Sequence, residues 1–396
     1  MDTREGHGLA VGNPARRYLG DDTLRRLDLP TGESTALPNA AYTSAEFLKL
    51  ENGRVFARNW MLAGFAHDIP APGDAIPVTV ADRPVILARG PDGAIRAFHN
   101  VCRHRGAKLL IEPCRKARAF TCPNHSWSYD LSGKLRMRPH FHGGEKHDVV
   151  SGDGHRADLV SVRCEIWHDW VFVNLEGKAK PLAEYLKPMT DRLANYDFSS
   201  IRHGATLDFD IPANWKLPLE NFIEPYHVFS CHPWLSAFVP MAKRTAPAFE
   251  KHCLHCGYHY DAPDPARGMG LPHFPGLPPA RANEGIWFVM FPGFAFQVFP
   301  DQVVLFLVTP LGPERCRERV VIYFVGEDGA NAPEYEKGRQ NVIDNWAQLN
   351  AEDIGVIARM QQGRHSDGFD GGVLSPYWDP VIQQFARLMV EEIGRE

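Results

Sequence analysis

Asn214-Trp-Lys-Leu-Pro-Leu-Glu-Asn-Phe-Ile-Glu-Pro-Tyr-His-Val-Phe-Ser-Cys-His232 is the stretch that the rest of the chain is arranged to serve. It opens as a helix, and helical spacing sets Glu220, Glu224 and His227 at i, i+4 and i+7, on one face. His232 follows His227 by five residues, out of phase unless the helix ends or widens there. Pro225 removes a backbone donor and favours that break. Two imidazoles beside a carboxylate, with Asn214 and Asn221 near, suit a divalent transition metal that keeps open positions. Taken alone, the same residues also describe a helix with two solvent-facing histidines.

Upstream lies a second set. Cys102-Arg-His104 is followed after seventeen residues by Cys122-Pro-Asn-His125. Two such hooks on adjacent loops bring together two thiolates and two imidazoles. That set fits a tetrahedral zinc or a [2Fe–2S] centre with two histidines on one iron. Asn100-Val-Cys-Arg-His-Arg-Gly106 and Cys122-Pro-Asn-His-Ser-Trp-Ser-Tyr129 resemble the Rieske signature. The stretch from Asn214 to Pro233 resembles the iron-binding segment of Rieske non-haem iron oxygenase α subunits. The likeness runs from about Ala41 to the C-terminal helix.

Periodicity supplies a third ligand. Trp346, Leu349, Asp353, Val356 and Met360 recur as one stripe of a helix. Asp353 is then a lone carboxylate in an apolar face, costly unless it meets a metal or an arginine, while Glu352 points elsewhere. With His227 and His232 it completes a two-histidine, one-carboxylate triad. The resemblance puts the family's carboxylate ligand in the same late helix.

The resemblance also implies the cofactors, a Rieske [2Fe–2S] cluster held by Cys102, His104, Cys122 and His125 and a mononuclear Fe(II). It makes Glu224 the bridging acid between His227 and His125 of a neighbouring subunit; Asn221, near the imidazoles, is the other candidate catalytic residue. Glu where the family more usually has Asp marks members that act on quaternary ammonium compounds. Cys-Pro-Asn-His-Ser-Trp departs from the usual Cys-Pro-Tyr-His-Gly-Trp at Asn124 and Ser126, neither of them a ligand.

Around these motifs the chain reads as two domains behind an N-terminal arm. Residues 1–58 are the arm and a helix capped near Thr43 to Glu46, packing on the catalytic part. Residues 59–174 alternate with period two and contain hairpin turns such as Pro91-Asp-Gly93, an all-β Rieske domain. Residues 175–396 mix strands and helices, an α+β helix-grip catalytic domain with an antiparallel sheet. Cys253-Leu-His-Cys-Gly-Tyr-His-Tyr260 alternates and reads as a strand rather than a zinc knuckle. Pro263 to Ala282 reads as a long loop over the site. Trp287, Phe288, Phe291, Phe294, Phe296 and Phe299 crowd within thirteen residues. Alternation sends most of them to the core; Trp287, Phe291, Phe294 and Phe296 are the candidate substrate contacts, through aromatic faces suited to a cation.

The net charge of −5, without a basic tract, argues against nucleic acid or an anionic membrane as partner. No apolar run approaches a span, and no signal-peptide core is visible, so a cytoplasmic protein is expected. Eight cysteines in 396 residues do not form a disulfide framework. The absence of a flavin or nicotinamide motif makes a separate NAD(P)H-dependent flavin or iron–sulfur reductase the expected electron source. The expected activity is hydroxylation or N-demethylation of a betaine- or choline-like substrate with O2, in a head-to-tail homotrimer. Hydroxylation of an aromatic ring or aromatic acid is the alternative within the enzymes, and a zinc-stabilised binding protein the alternative outside them.

Overall fold

The computed structural model of the chain describes residues 13–150 and 156–395. It divides into two units, Phe56–Glu184 and the remainder, Met1–Val55 with Tyr185–Glu396.

The first unit is all-β. Its six-stranded antiparallel sheet runs, in spatial order, Met61–Phe65, Trp170–Asn174, Ser161–Trp167, Ile95–His99, Arg83–Arg89 and Ala75–Val80. A smaller sheet of Phe120–Thr121, Ser128–Tyr129, Leu135–Arg138 and Asp148–Val149 carries the second hook. Between them Phe98, Trp127, Tyr129, Leu131 and Leu135 form a core that also buries Cys102 and Cys122. Gly133 has φ +84° and lies directly against the Phe98 ring, where a side chain would collide. The unit runs ten residues beyond the Asn174 boundary read from the sequence, because the segment after it wraps back. Glu176 N donates to Ala57 O at 2.9 Å, Trp60 Nε1 to Lys180 O at 2.8 Å, and Leu182 N to Glu165 at 3.0 Å.

The second unit is α+β. Its seven-stranded antiparallel sheet runs Ile201–Ile211, Arg315–Val325, Gln302–Gly312, Phe294–Val298, Glu284–Met290, Cys253–His259 and Ala248–Glu250. Helices Lys216–Ile223, Glu336–Gly363 and Pro380–Gly394 belong to the same unit. Cys253–His259 is a full strand, paired along its length with Glu284–Met290. Burial pushes the Cys253 thiol up to about 12.

The arm is more ordered than its glycine content implies; residues 1–12 lie outside the described residues. Arg16–Leu27 is helical across a break at Gly20. The helix Ala45–Leu50 is capped one residue later than expected, by Ser44, whose Oγ accepts from Phe47 N at 3.2 Å. Glu51 ties the arm to Lys216, its Oε1 lying 2.5 Å from Nζ while Oε2 accepts from Trp215 Nε1 at 2.9 Å. Both charged side chains have no exposure to solvent. Glu220, expected on a shared helix face with Glu224 and His227, instead accepts from Tyr42 Oη at 2.6 Å, and Arg364 covers that ring at 3.9 Å. Two acids and two cations therefore balance inside the unit.

Candidate active site

In the all-β unit the two hooks are built alike. Cys102 N donates to Ala107 O at 2.8 Å and Cys122 N to Trp127 O at 2.9 Å, which fold each loop back over its cysteine. Both thiols are buried, whereas His104 and His125 are exposed with ring centroids 4.7 Å apart. Trp127 stacks on His104 at 4.7 Å, and Tyr129 Oη lies 3.3 Å from Cys102 Sγ while accepting from Arg103 N at 3.0 Å. A single tetrahedral ion would draw four such donors within about 4 Å of one another. Among the described residues no three of these four bring donor atoms within 4.8 Å. Sulfurs below and imidazoles at the surface match a two-iron cluster with unlike ends, and the zinc alternative loses its geometry.

The second set lies in the other unit. The helix Lys216–Ile223 stops one residue short of Glu224, which precedes Pro225 and is extended, with φ −100° and ψ 123°. A short helix, Val228–Cys231, follows, with His227 and His232 at its two ends. The break turns both imidazoles inward. Their Nε2 atoms lie 3.5 Å and 3.0 Å from Asp353 Oδ1. His227, His232 and Asp353 thus form a grouping whose donor atoms all lie within 4.8 Å. The only other such grouping among the described residues, His140, Glu145 and His147, is fully exposed.

What orients the imidazoles is a carboxylate behind each. Glu224 Oε1 accepts from His227 Nδ1 at 2.7 Å, and Glu352 Oε2 from His232 Nδ1 at 2.6 Å. With Nδ1 donating to its carboxylate, each Nε2 would present its lone pair to a bound metal. Burial lowers the His232 pKa, but hydrogen bonds to Asp353 and Glu352 outweigh it, and the net shift is upward in the metal-free site. The expectation that Glu352 points elsewhere is therefore corrected. It is one residue off the Asp353 stripe but reaches back to His232 and Trp234. Asn221 Nδ2 donates to Asp353 Oδ1 at 2.9 Å and fixes the carboxylate. Asn214 is remote from this chemistry; its side chain caps backbone at Tyr42 and Pro313. No arginine pairs with Asp353 among the described residues. The stripe itself is displaced: the helix buries Val342, Asn350, Ile357 and Gln361, while Met360 is exposed. Behind the iron set Glu318, buried and hydrogen-bonded to Asn350 Nδ2 at 2.6 Å, has its pKa raised by burial to about 7.

A cavity of about 90 Å³ opens from His227, His232 and Asp353, walled by Trp234, Phe238, Tyr258, Trp287 and Phe299. Of the four aromatic residues expected to meet substrate, Trp287 lines this cavity. Phe294 and Phe296 do not, for reasons of parity: Trp287 pairs with Gln297 across the sheet, but Phe288 pairs with Phe296 and Met290 with Phe294, on the opposite face. Phe288 and Phe296 stack at 4.8 Å, and Phe291 packs on Phe385 at 5.2 Å, both in the core. Tyr258 could have been found by carrying the same parity from Trp287 through Cys256. Arg244 and Arg267, which also line the cavity, leave no trace in the local pattern. The loop expected over the site contributes Arg267 and Met269, and Asn341 and Asn345 of the long helix hold it by Pro265 O and Ala266 O.

Two candidate metal sets, one on an all-β unit and one on an α+β unit, suit an iron-dependent oxygenase with its own electron-transfer centre. The comparisons agree. Residues 59–148 match the Rieske [2Fe-2S] domain and residues 198–394 the catalytic domain of the ring hydroxylating α subunit. The chain belongs to the Rieske non-haem iron oxygenase family, whose members carry a Rieske cluster and a mononuclear iron. It is 34% identical over 200 residues to the glycine betaine monooxygenase oxygenase subunit of Chromohalobacter salexigens, a match spanning 50% of this chain and 44% of that protein. It is also 34% identical over 223 residues to the large oxygenase component of salicylate 5-hydroxylase from a Ralstonia species, spanning 53% and 52%. A crystallised quaternary ammonium Rieske monooxygenase, described with carnitine oxidation and inter-subunit electron transfer, shares the fold: TM-score 0.77, 22% identity, 92% of this chain and 97% of that one. No helix among the described residues is long and apolar enough to cross a membrane.

Proposed function

We propose that the chain is the oxygenase component of a two-component system that hydroxylates an N-methyl or neighbouring carbon of a small quaternary ammonium compound. In this reading Cys102, His104, Cys122 and His125 hold the cluster, and His227, His232 and Asp353 hold the iron. The observation that carries it is the convergence of two imidazole nitrogens and one carboxylate oxygen at the floor of an aromatic cavity. The bound iron supplies oxygen activation with electrons relayed from the cluster.

The residues supply the rest. Glu224 and Glu352 hold the imidazoles in the tautomer that a metal needs. Asn221 keeps Asp353 turned toward them. Aromatic faces receive a cation that has no N–H to donate. Overall, one oxygen atom enters a C–H bond and the other leaves as water with two protons. The two electrons come from a separate NAD(P)H-dependent flavin or iron–sulfur reductase. A hydroxymethyl group on a quaternary nitrogen then loses its O–H proton and breaks the C–N bond, giving a tertiary amine and formaldehyde.

Assembly is part of the same proposal. Tyr226 and Phe229, beside Glu224, are 47% and 54% exposed, and Ile111 and Val149 of the all-β unit are more so. Glu224 uses Oε1 on His227 and Oε2 on the backbone of Tyr226 and His227. A closed head-to-tail trimer would bring a neighbour's His125 to it and cover these apolar surfaces.

The likeness to a salicylate hydroxylase favours a second reading, an aromatic acid in the same cavity. A panel of methylated amines and aromatic acids separates the two. Formaldehyde released with a quaternary amine supports the first, whereas a ring-hydroxylated product without formaldehyde replaces it.

A further inference from the structure

Arg244 is the residue of the cavity wall that neither metal set explains. It follows the turn Met241–Lys243 and bridges by its backbone to Tyr258. Only 5% of its surface is exposed. Nη2 donates to Val239 O at 3.2 Å, and Cζ lies 5.3 Å from the Tyr258 ring centroid. Nε and Nη1 are buried and have no hydrogen-bond partner among the described residues, and no carboxylate there lies within ion-pair distance of the guanidinium. Arg267, on the loop that covers the cavity, repeats the pattern in part. It is bound to Asp264 at 3.1 Å and to Trp234 O at 2.8 Å, yet its Nη1 is also buried and unpartnered.

A guanidinium does not shed its proton to escape burial, and an uncompensated charge in an apolar site is costly. Nε–H and Nη1–H are two separate unused donors, each of which a carboxylate oxygen can accept. The same cavity is lined by the acids Glu224 and Asp353. We propose that Arg244 is the carboxylate-recognising residue of this cavity. Resting on the quaternary-ammonium reading above, this makes the substrate a betaine, an N-methylated amino acid, and not a choline-type alcohol. The ammonium lies among the aromatic rings, and the carboxylate is held by Arg244. The cavity, about 90 Å³, suits a compact ion. A cation with no anionic partner leaves Arg244 uncompensated and is repelled by it.

The test compares glycine betaine, proline betaine, choline and salicylate on the iron-loaded native enzyme and on R244Q and R244K, with iron and cluster content measured for each. Native enzyme should release formaldehyde from a betaine at far lower concentration than from choline, a comparison that needs no variant to fold. With iron content intact, R244Q should raise KM for the betaine about 100-fold with kcat retained, and R244K should fall between. Equal native preference for choline and betaine, or an unchanged betaine KM in R244Q, overturns the role of Arg244 while leaving the quaternary-ammonium reading standing. Turnover of salicylate that depends on Arg244, with no betaine oxidised, keeps the carboxylate role and overturns the quaternary-ammonium reading.

Discussion

At the residue scale, the acids behind the histidines decide whether a metal stays. Glu352→Gln keeps shape but weakens the grip on His232 Nδ1–H, so iron should be lost to a chelator 10–100-fold more readily, on the order seen for such partners. Iron retention after graded chelator treatment measures this, and retention equal to the native protein would show that Glu352 is idle. On the cluster loop, Ser126 has φ +55°, a conformation that favours glycine, which the family's usual motif carries there. Ser126→Gly should therefore stabilise the all-β unit by about 1 kcal/mol, read from its unfolding midpoint with the cluster bound. The metal-binding residues were legible because each of His, Cys and Asp occurs in a spacing that has a chemical reason. Glu352 was not, since a stripe drawn at i, i+3 and i+7 says nothing about a side chain long enough to reach across to its neighbour's face.

Elements hold these residues through buried charge. Lys216→Met leaves Glu51 without its cation at a position with no exposure, and should cost about 3–5 kcal/mol, measured by urea unfolding. Glu318, on the strand Arg315–Val325, gives a pH signature. Its pKa is raised from 4.5 to about 7 by burial, so between these values the folded, metal-free protein binds a proton that the unfolded chain lacks. Stability then falls as pH rises through that window, by up to about 3 kcal/mol for this group. Glu318→Gln should flatten the decline in iron-free protein, and an unchanged slope between pH 4.5 and 7.5 would remove Glu318 as its source. Strands and their order of appearance could be read from alternation. Which face of a strand meets the cavity could not, because Phe294 and Phe296 differ from Gln297 only by parity, and parity needs a register that only the folded sheet supplies. Arg244 was hidden for the opposite reason: nothing on its own turn marks a charge that is buried by other elements.

On the scale of the molecule, the proposed function puts two metal sets in two units, with electrons passing between them. If the passage runs from one copy to the next, activity requires assembly. Light scattering at assay concentration should give a trimer, and turnover per chain should fall on dilution as the ring dissociates; an active monomer contradicts it. The most direct test of the whole account is a single turnover of the chemically reduced, fully metallated enzyme. Exposed to O2 with glycine betaine, the native protein should yield formaldehyde, whereas Glu224→Gln, loaded with both metals, should yield almost none. Formaldehyde from the Glu224→Gln enzyme at the native rate, or a ring-hydroxylated acid where no quaternary amine reacts, would contradict it.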